Sequence, residues 1–151
     1  MADPRWLSDD EQGAWQALIG VMMRVPALLD TQLQRDAGIT HFDYGILVRL
    51  SQCTGRRMQM STLADVTNGS LSRLSHAVKK LEAKGWVERS PDPEDGRLTE
   101  ATLTKAGFAK LKKTAPGHVA EARRLVIDAI SPSQLRQLRS IAEIIERGLS
   151  G

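Results

Sequence analysis

Between Ser61 and Leu103 the apolar period changes from helical to alternating. Gly85 stands at the change, and a reversal rich in proline and acid, PDPEDG, lies further on. Few folds accommodate that order: a short helix, a turn, a longer basic helix, then a two-stranded hairpin.

The longer helix, expected over 70–84, has two chemically distinct faces. At about 100° per residue, Leu71, Leu74, Val78 and Leu81 share one sector, and Ser72, Arg73, His76 and Lys80 lie opposite. Glu82 is its only acid. A solvated helix usually mixes acids with bases, whereas this outward face is cationic and rich in donors. Arg and Lys neutralise phosphates and read guanine edges, and Ser and His reach other atoms in a major groove. A basic solvated helix in some other all-α protein would share this pattern.

The residues that follow separate the two. Gly85 sits where a helix C-cap takes a positive φ, and Trp86–Ser90 reads as a short strand. The two prolines, three acids and glycine of Pro91–Gly96 exclude a helix and favour a tight reversal. A second extended run, Arg97–Leu103, completes a wing with Arg97 just past its tip and Asp95 placed to orient the guanidinium. An arginine there suits a narrow minor groove, where the negative potential is enhanced. The predicted fold class is mainly α with a small β wing: a dimeric winged helix-turn-helix of about six helices and a two- to three-stranded antiparallel sheet.

LEAKGWVER, then Asp95-Gly96-Arg97, then Leu103-Thr104-Lys105-Ala106-Gly107 resembles the MarR (multiple antibiotic resistance regulator) family of bacterial transcription regulators. That family's pattern is an LE.KG helix end, a D.R wing and an LT..G entry into the next helix. The resemblance implies a homodimer that binds a palindromic operator, usually as a repressor, and is released by a small ligand or an oxidant. It also implies that Arg97 is the wing-tip arginine, Asp95 its support, and the outward residues of 70–80 the base-reading surface. The expected DNA contacts are Ser70, Ser72, Arg73, His76, Lys79, Lys80 and Arg97.

The charge distribution fits an anionic partner. Net charge is +3, yet Thr54–Lys113 holds twelve Lys and Arg against seven Asp and Glu, so the excess sits on the expected DNA-binding lobe. No apolar run approaches the roughly 20 residues needed to cross a bilayer. The first dozen residues lack a signal peptide's basic and apolar regions, so a cytoplasmic protein with no membrane partner is expected.

At 151 residues the chain is expected to form one domain. Its DNA-binding lobe is expected over 36–113, and its dimerisation lobe over 8–35 and 114–149. Ser8 with Glu11 forms a capping box opening a first helix whose stripe is Trp15, Leu18, Ile19, Met22, Val25 and Leu29; Pro26 predicts a kink in it. Thr40 with Asp43 opens a second helix, closed by Gly55. Met58–Met60 is a candidate third strand, and Ser61 a candidate cap for a short helix over Leu63, Ala64 and Val66. Thr104 caps a long helix with Phe108, Leu111, Val119, Val126 and Ile130 as candidate core, and Pro116-Gly117 predicts a kink or break. Ser131-Pro132 starts a last helix in which Leu135, Leu138, Ala142, Ile145 and Leu149 form a coiled-coil-like seam, pointing to subunit association.

Catalytic and metal chemistry has little support. There is no phosphate-cradling glycine loop, nucleophile elbow or clustered acid pair, so an enzyme is not expected, nor a cofactor. Cys53, the single cysteine, permits no internal disulfide and reads as a small hydrophobe at a helix end; redox-sensing relatives carry theirs in the first helix. His118 with Glu121 at i and i+3 is the one metal-like pair, and two ligands fall short of a site. A small aromatic or apolar ligand would fit between the lobes, with Trp15, Met22, Tyr44 and Phe108 as candidate lining residues. Two other classes remain open: a helical interaction or scaffold module, and a metal-responsive switch.

Overall fold

A computed structural model describes residues 4–149. Six helices and three strands follow one another as α1 (Asp9–Ala37), α2 (His41–Gln52), β1 (Arg57–Gln59), α3 (Met60–Val66), α4 (Leu71–Ala83), β2 (Val87–Pro91), β3 (Thr99–Leu103), α5 (Lys105–Leu125) and α6 (Pro132–Leu149). The sheet is antiparallel in the order β1-β3-β2: β3 pairs with β2 in the hairpin and with β1 along its other edge.

Local chemistry explains most boundaries. Ser8 accepts from the Glu11 amide while the Glu11 carboxylate accepts from the Ser8 amide, the capping box read at the start of α1. Thr40, Ser70 and Thr104 cap α2, α4 and α5 through their hydroxyls. Ser131 and Gln134 exchange hydrogen bonds at the head of α6, with Pro132 as its first residue. Gly38 and Gly85 take the left-handed conformation just past α1 and α4.

The core lies under the hairpin and between α2, α3 and α4. Ile46, Leu47, Leu50, Leu63, Leu74, Val78, Leu81 and Val87 are almost completely buried, joined by Leu33 of α1 and Leu111 of α5. Each such side chain contributes about 1.5–3 kcal/mol relative to exposure. That burial fixes the angle at which α4 leaves the protein.

Several expectations need correction. Pro116 and Gly117 do not divide α5, which is one helix from Lys105 to Leu125. Packing on both sides outweighs the helix-breaking cost: Leu111 and Thr114 are buried before the pair, and Gln32 of α1 lies against Gly117 and His118 against Tyr44 after it. Helix α1 continues through Pro26 from Asp9 to Ala37 without a break. Ser61 is not a cap: α3 begins at Met60 after an extended Gln59 with no side-chain cap. The third strand is Arg57–Gln59, one residue earlier than read, because Met60 is drawn into α3 as a buried core residue. Helix α2 ends at Gln52 before Gly55, which sits in a short 3-10 turn with φ 69°. Leu71 is 55% exposed rather than in the core, although Leu74, one turn on, is fully buried.

Val119 of α5 is exposed, as are Trp15, Leu18, Met22, Leu138, Ile141, Ile144 and Ile145, and α6 has no buried residue. Two long helices thus carry a large apolar surface in the single chain. A soluble chain usually covers a patch of that size with a partner. No helix among the described residues is long and apolar enough to cross a membrane.

Candidate nucleic-acid interface

The geometry begins at the turn between α3 and α4. Asn68 takes a left-handed backbone with φ 53°, and the Gly69 amide closes onto the Ala64 carbonyl at 3.1 Å. Gly69 leaves room for the Phe42 ring: a Cβ there would stand 2.8 Å from Cζ of Phe42, and the ring would have to shift. The chain then enters α4 at Ser70, whose hydroxyl accepts from the Arg73 amide at 3.1 Å.

Helix α4 buries Leu74, Ala77, Val78 and Leu81 and exposes Ser72, Arg73, His76, Lys79 and Lys80 on its outward side. Ser70, also exposed, keeps its hydroxyl proton free to donate. Six of the seven sequence-nominated DNA contacts therefore stand together along one helix.

Two of these cations are engaged by α2. The Arg73 guanidinium lies over the Phe42 ring at 4.0 Å from its centroid. Lys80 Nζ is 3.0 Å from Oδ2 of Asp43, a carboxylate whose side chain is 9% exposed against 48% for Lys80. Neither contact leaves a trace in residue spacing, since Phe42 and Asp43 belong to another helix and Asp43 read only as a cap residue.

The seventh residue stands on the wing. Arg97 is 89% exposed and grips Asp95 with two parallel bonds, Nε to Oδ1 at 2.9 Å and Nη2 to Oδ2 at 2.8 Å. The Asp95 carboxylate also accepts from the Arg97 amide, and these bonds hold its pKa below the ordinary range while raising that of Arg97. Asp92, which sequence reasoning overlooked, anchors the loop: it accepts from the amides of Glu94 and Asp95 and from Gln59 of β1, and those bonds lower its pKa. An acid opening a proline-rich turn was its one available signal. The wing is thus preformed, with its tip cation aimed by its neighbours.

A cleft of about 630 Å³ runs between the start of α4 and the lobe behind it. It is lined by Pro26 and Asp30 of α1, Thr40 to Asp43, and Arg73, His76 and Lys80. The four residues nominated for a ligand pocket do not gather around it. Trp15 borders a shallow pocket beside Trp6, Met22 is exposed, Tyr44 is buried against His118, and Phe108 is half-buried beneath the Arg56 guanidinium at 3.7 Å.

His118 does not face Glu121 as a ligand pair. Its ring stacks on His41 with centroids 6.1 Å apart and meets the Tyr44 ring at a 45° tilt with centroids 4.5 Å apart, and burial lowers its pKa; Glu121 is committed to Arg124 at 2.6 Å. No group of three His, Cys, Asp or Glu suited to a metal occurs among the described residues. Cys53 is half-buried at the end of α2, its thiol 3.2 Å from the Arg49 carbonyl.

Comparison with known proteins bears on the same stretch. The model of the MarR family matches residues 39–99, from the end of α1 through the wing to β3. Sco3205 of Streptomyces coelicolor, a MarR family transcriptional regulator solved in complex with DNA, is 43% identical over all of this chain and 94% of its own, with a TM-score of 0.92. AbsC, a MarR family transcriptional regulator of the same organism, is 40% identical over 98% of this chain and 99% of its own, with a TM-score of 0.89. The transcriptional regulator PecS of Dickeya dadantii is 27% identical over 87% of this chain and 81% of its own length.

Proposed function

The chain belongs to the MarR family of transcriptional regulators, and from that premise we propose that it binds a pseudo-palindromic operator as a homodimer, most simply as a repressor. The observation that carries this reading is the row of exposed donors and cations on α4, continued by Arg97 at the wing tip. With α4 in a major groove, Arg73 and His76 address base edges, and Ser70, Ser72, Lys79 and Lys80 address bases or phosphates. Arg97 enters the flanking minor groove, aimed by Asp95.

Spacing two such surfaces is the work of the helices at the chain's ends. The exposed apolar residues of α1 and α6 pair with those of a second copy, holding two α4 helices about 34 Å apart for half-sites about ten base pairs apart. In this reading 36–113 forms the DNA-binding lobe and 8–35 with 114–149 the dimerisation lobe. The protein acts where DNA is, in the cytoplasm, and carries out no catalysis. Release by a small ligand is consistent with the cleft that Arg73, His76 and Lys80 share with α1 and α2.

A salt titration with a random duplex tests the reading against a protein-binding adaptor. A dimer neutralising several phosphates gives a log-log slope of about −0.9 per contact, whereas a flat response contradicts it. Arg97→Ala is expected to weaken binding most at sites with A·T-rich flanks, where the minor groove is narrow. Unchanged affinity at such sites would remove the wing from the mechanism.

A further inference from the structure

We propose that Phe42 and Asp43, consecutive residues in the first turn of α2, are specificity-determining positioning residues: they hold Arg73 and Lys80, so that α4 meets DNA with one cation aimed and the other restrained. This inference rests on α4 being the DNA-facing helix.

Arg73 and Lys80 are seven residues apart on α4 and lie on one side of it, and each is engaged by a different residue of the same turn. Phe42 is itself fixed, with its ring against the backbone of Gly69 in the turn before α4 and the guanidinium above it. An arginine laid on a ring keeps its charge and its planar donor edge but loses most of its rotamers. Phe42 thus selects the direction from which Arg73 reaches a base.

Asp43 acts on Lys80 in the opposite sense. Thr40 accepts from the Asp43 amide at 3.0 Å and fixes its backbone, and the buried carboxylate faces the Lys80 ammonium at 3.0 Å. A carboxylate with so little access to water needs a cation, so it competes with phosphate for Lys80. On an arbitrary duplex, where a phosphate contact is all that α4 gains, the competition removes most of what Lys80 contributes. Asp43 therefore lowers nonspecific affinity more than operator affinity.

The experiment measures binding of the full chain to its selected operator and to a random duplex of equal length across a salt series, with thermal unfolding as a check on each variant. Asp43→Asn is expected to bind the random duplex severalfold more tightly and to steepen its salt slope by about 1.8, one added phosphate contact in each subunit of the dimer, while the operator-to-random ratio falls. Combining Asp43→Asn with Lys80→Met should return the slope to that of the parent. Phe42→Leu should leave the random-duplex slope unchanged and lower the ratio through the base pair that Arg73 addresses. A merely structural role for these residues would weaken both duplexes together and steepen neither slope. An unchanged slope in Asp43→Asn, or a steeper one that persists without Lys80, overturns the proposal while leaving DNA binding by α4 intact. A parent chain with no salt-dependent binding overturns both.

Discussion

Gly107→Ala is expected to destabilise the protein by about 3 kcal/mol, lowering the unfolding midpoint by roughly 6–12 °C. In an exposed helix the same change would stabilise by about 1 kcal/mol, because alanine is the better helix former. Here the sign reverses for want of space. A Cβ at Gly107 would be driven into the Trp86 carbonyl oxygen, and would lie 2.7 Å from Cδ1 of Leu103 and 2.9 Å from the Trp86 carbonyl carbon. Neither backbone atom can give way cheaply, since the Thr104 amide donates to that carbonyl oxygen at 3.1 Å and the Thr104 hydroxyl donates to the Gly85 carbonyl at 2.6 Å. Those bonds lock the first turn of α5 to the point where α4 ends and the wing begins. Gly45→Ala in α2, where nothing lies within 4 Å, is the control and should be neutral or mildly stabilising. An unfolding midpoint for Gly107→Ala at or above the parent's would refute this account of the junction.

The second large effect concerns recognition. Arg73→Ala is expected to cost about 1–3 kcal/mol at one base pair of the operator and to relax the preference there, while other positions keep theirs. Arg73 is suited to this because it is exposed on the outward face of α4 yet supported from beneath by Phe42, so its fork is presented in few orientations. Binding measured against operators carrying each base at each position distinguishes this role from a phosphate contact. Equal losses on every sequence would reassign Arg73 to the phosphates.

Much of this was legible in the chain. The faces of α4 followed from helical period alone, since Leu74, Val78 and Leu81 recur at spacings of three and four and bury together. The wing followed from PDPEDG, where two prolines and a glycine leave the backbone little choice but reversal. Period failed at Leu71 because it does not say where the core layer ends. It failed again at Pro116-Gly117, where intrinsic propensity was outweighed by packing against Gln32 and Tyr44, residues of other helices. The pairing of Asp43 with Lys80, 37 residues apart, was invisible for the same reason: an ion pair between helices depends on the tertiary fold and leaves no spacing to read. The proposed ligand-lining set failed similarly, as its four aromatic and sulfur-bearing residues separate into exposed, half-buried and core positions.

Selection of bound duplexes from a random pool tests the central claim most directly, because the claim joins a reading surface to a paired scaffold. Two α4 helices held by the proposed paired scaffold predict enrichment of an inverted repeat with half-site centres about ten base pairs apart and A·T-rich sequence where the wings fall. Selected sites without two-fold symmetry, or no enrichment at all, would contradict it.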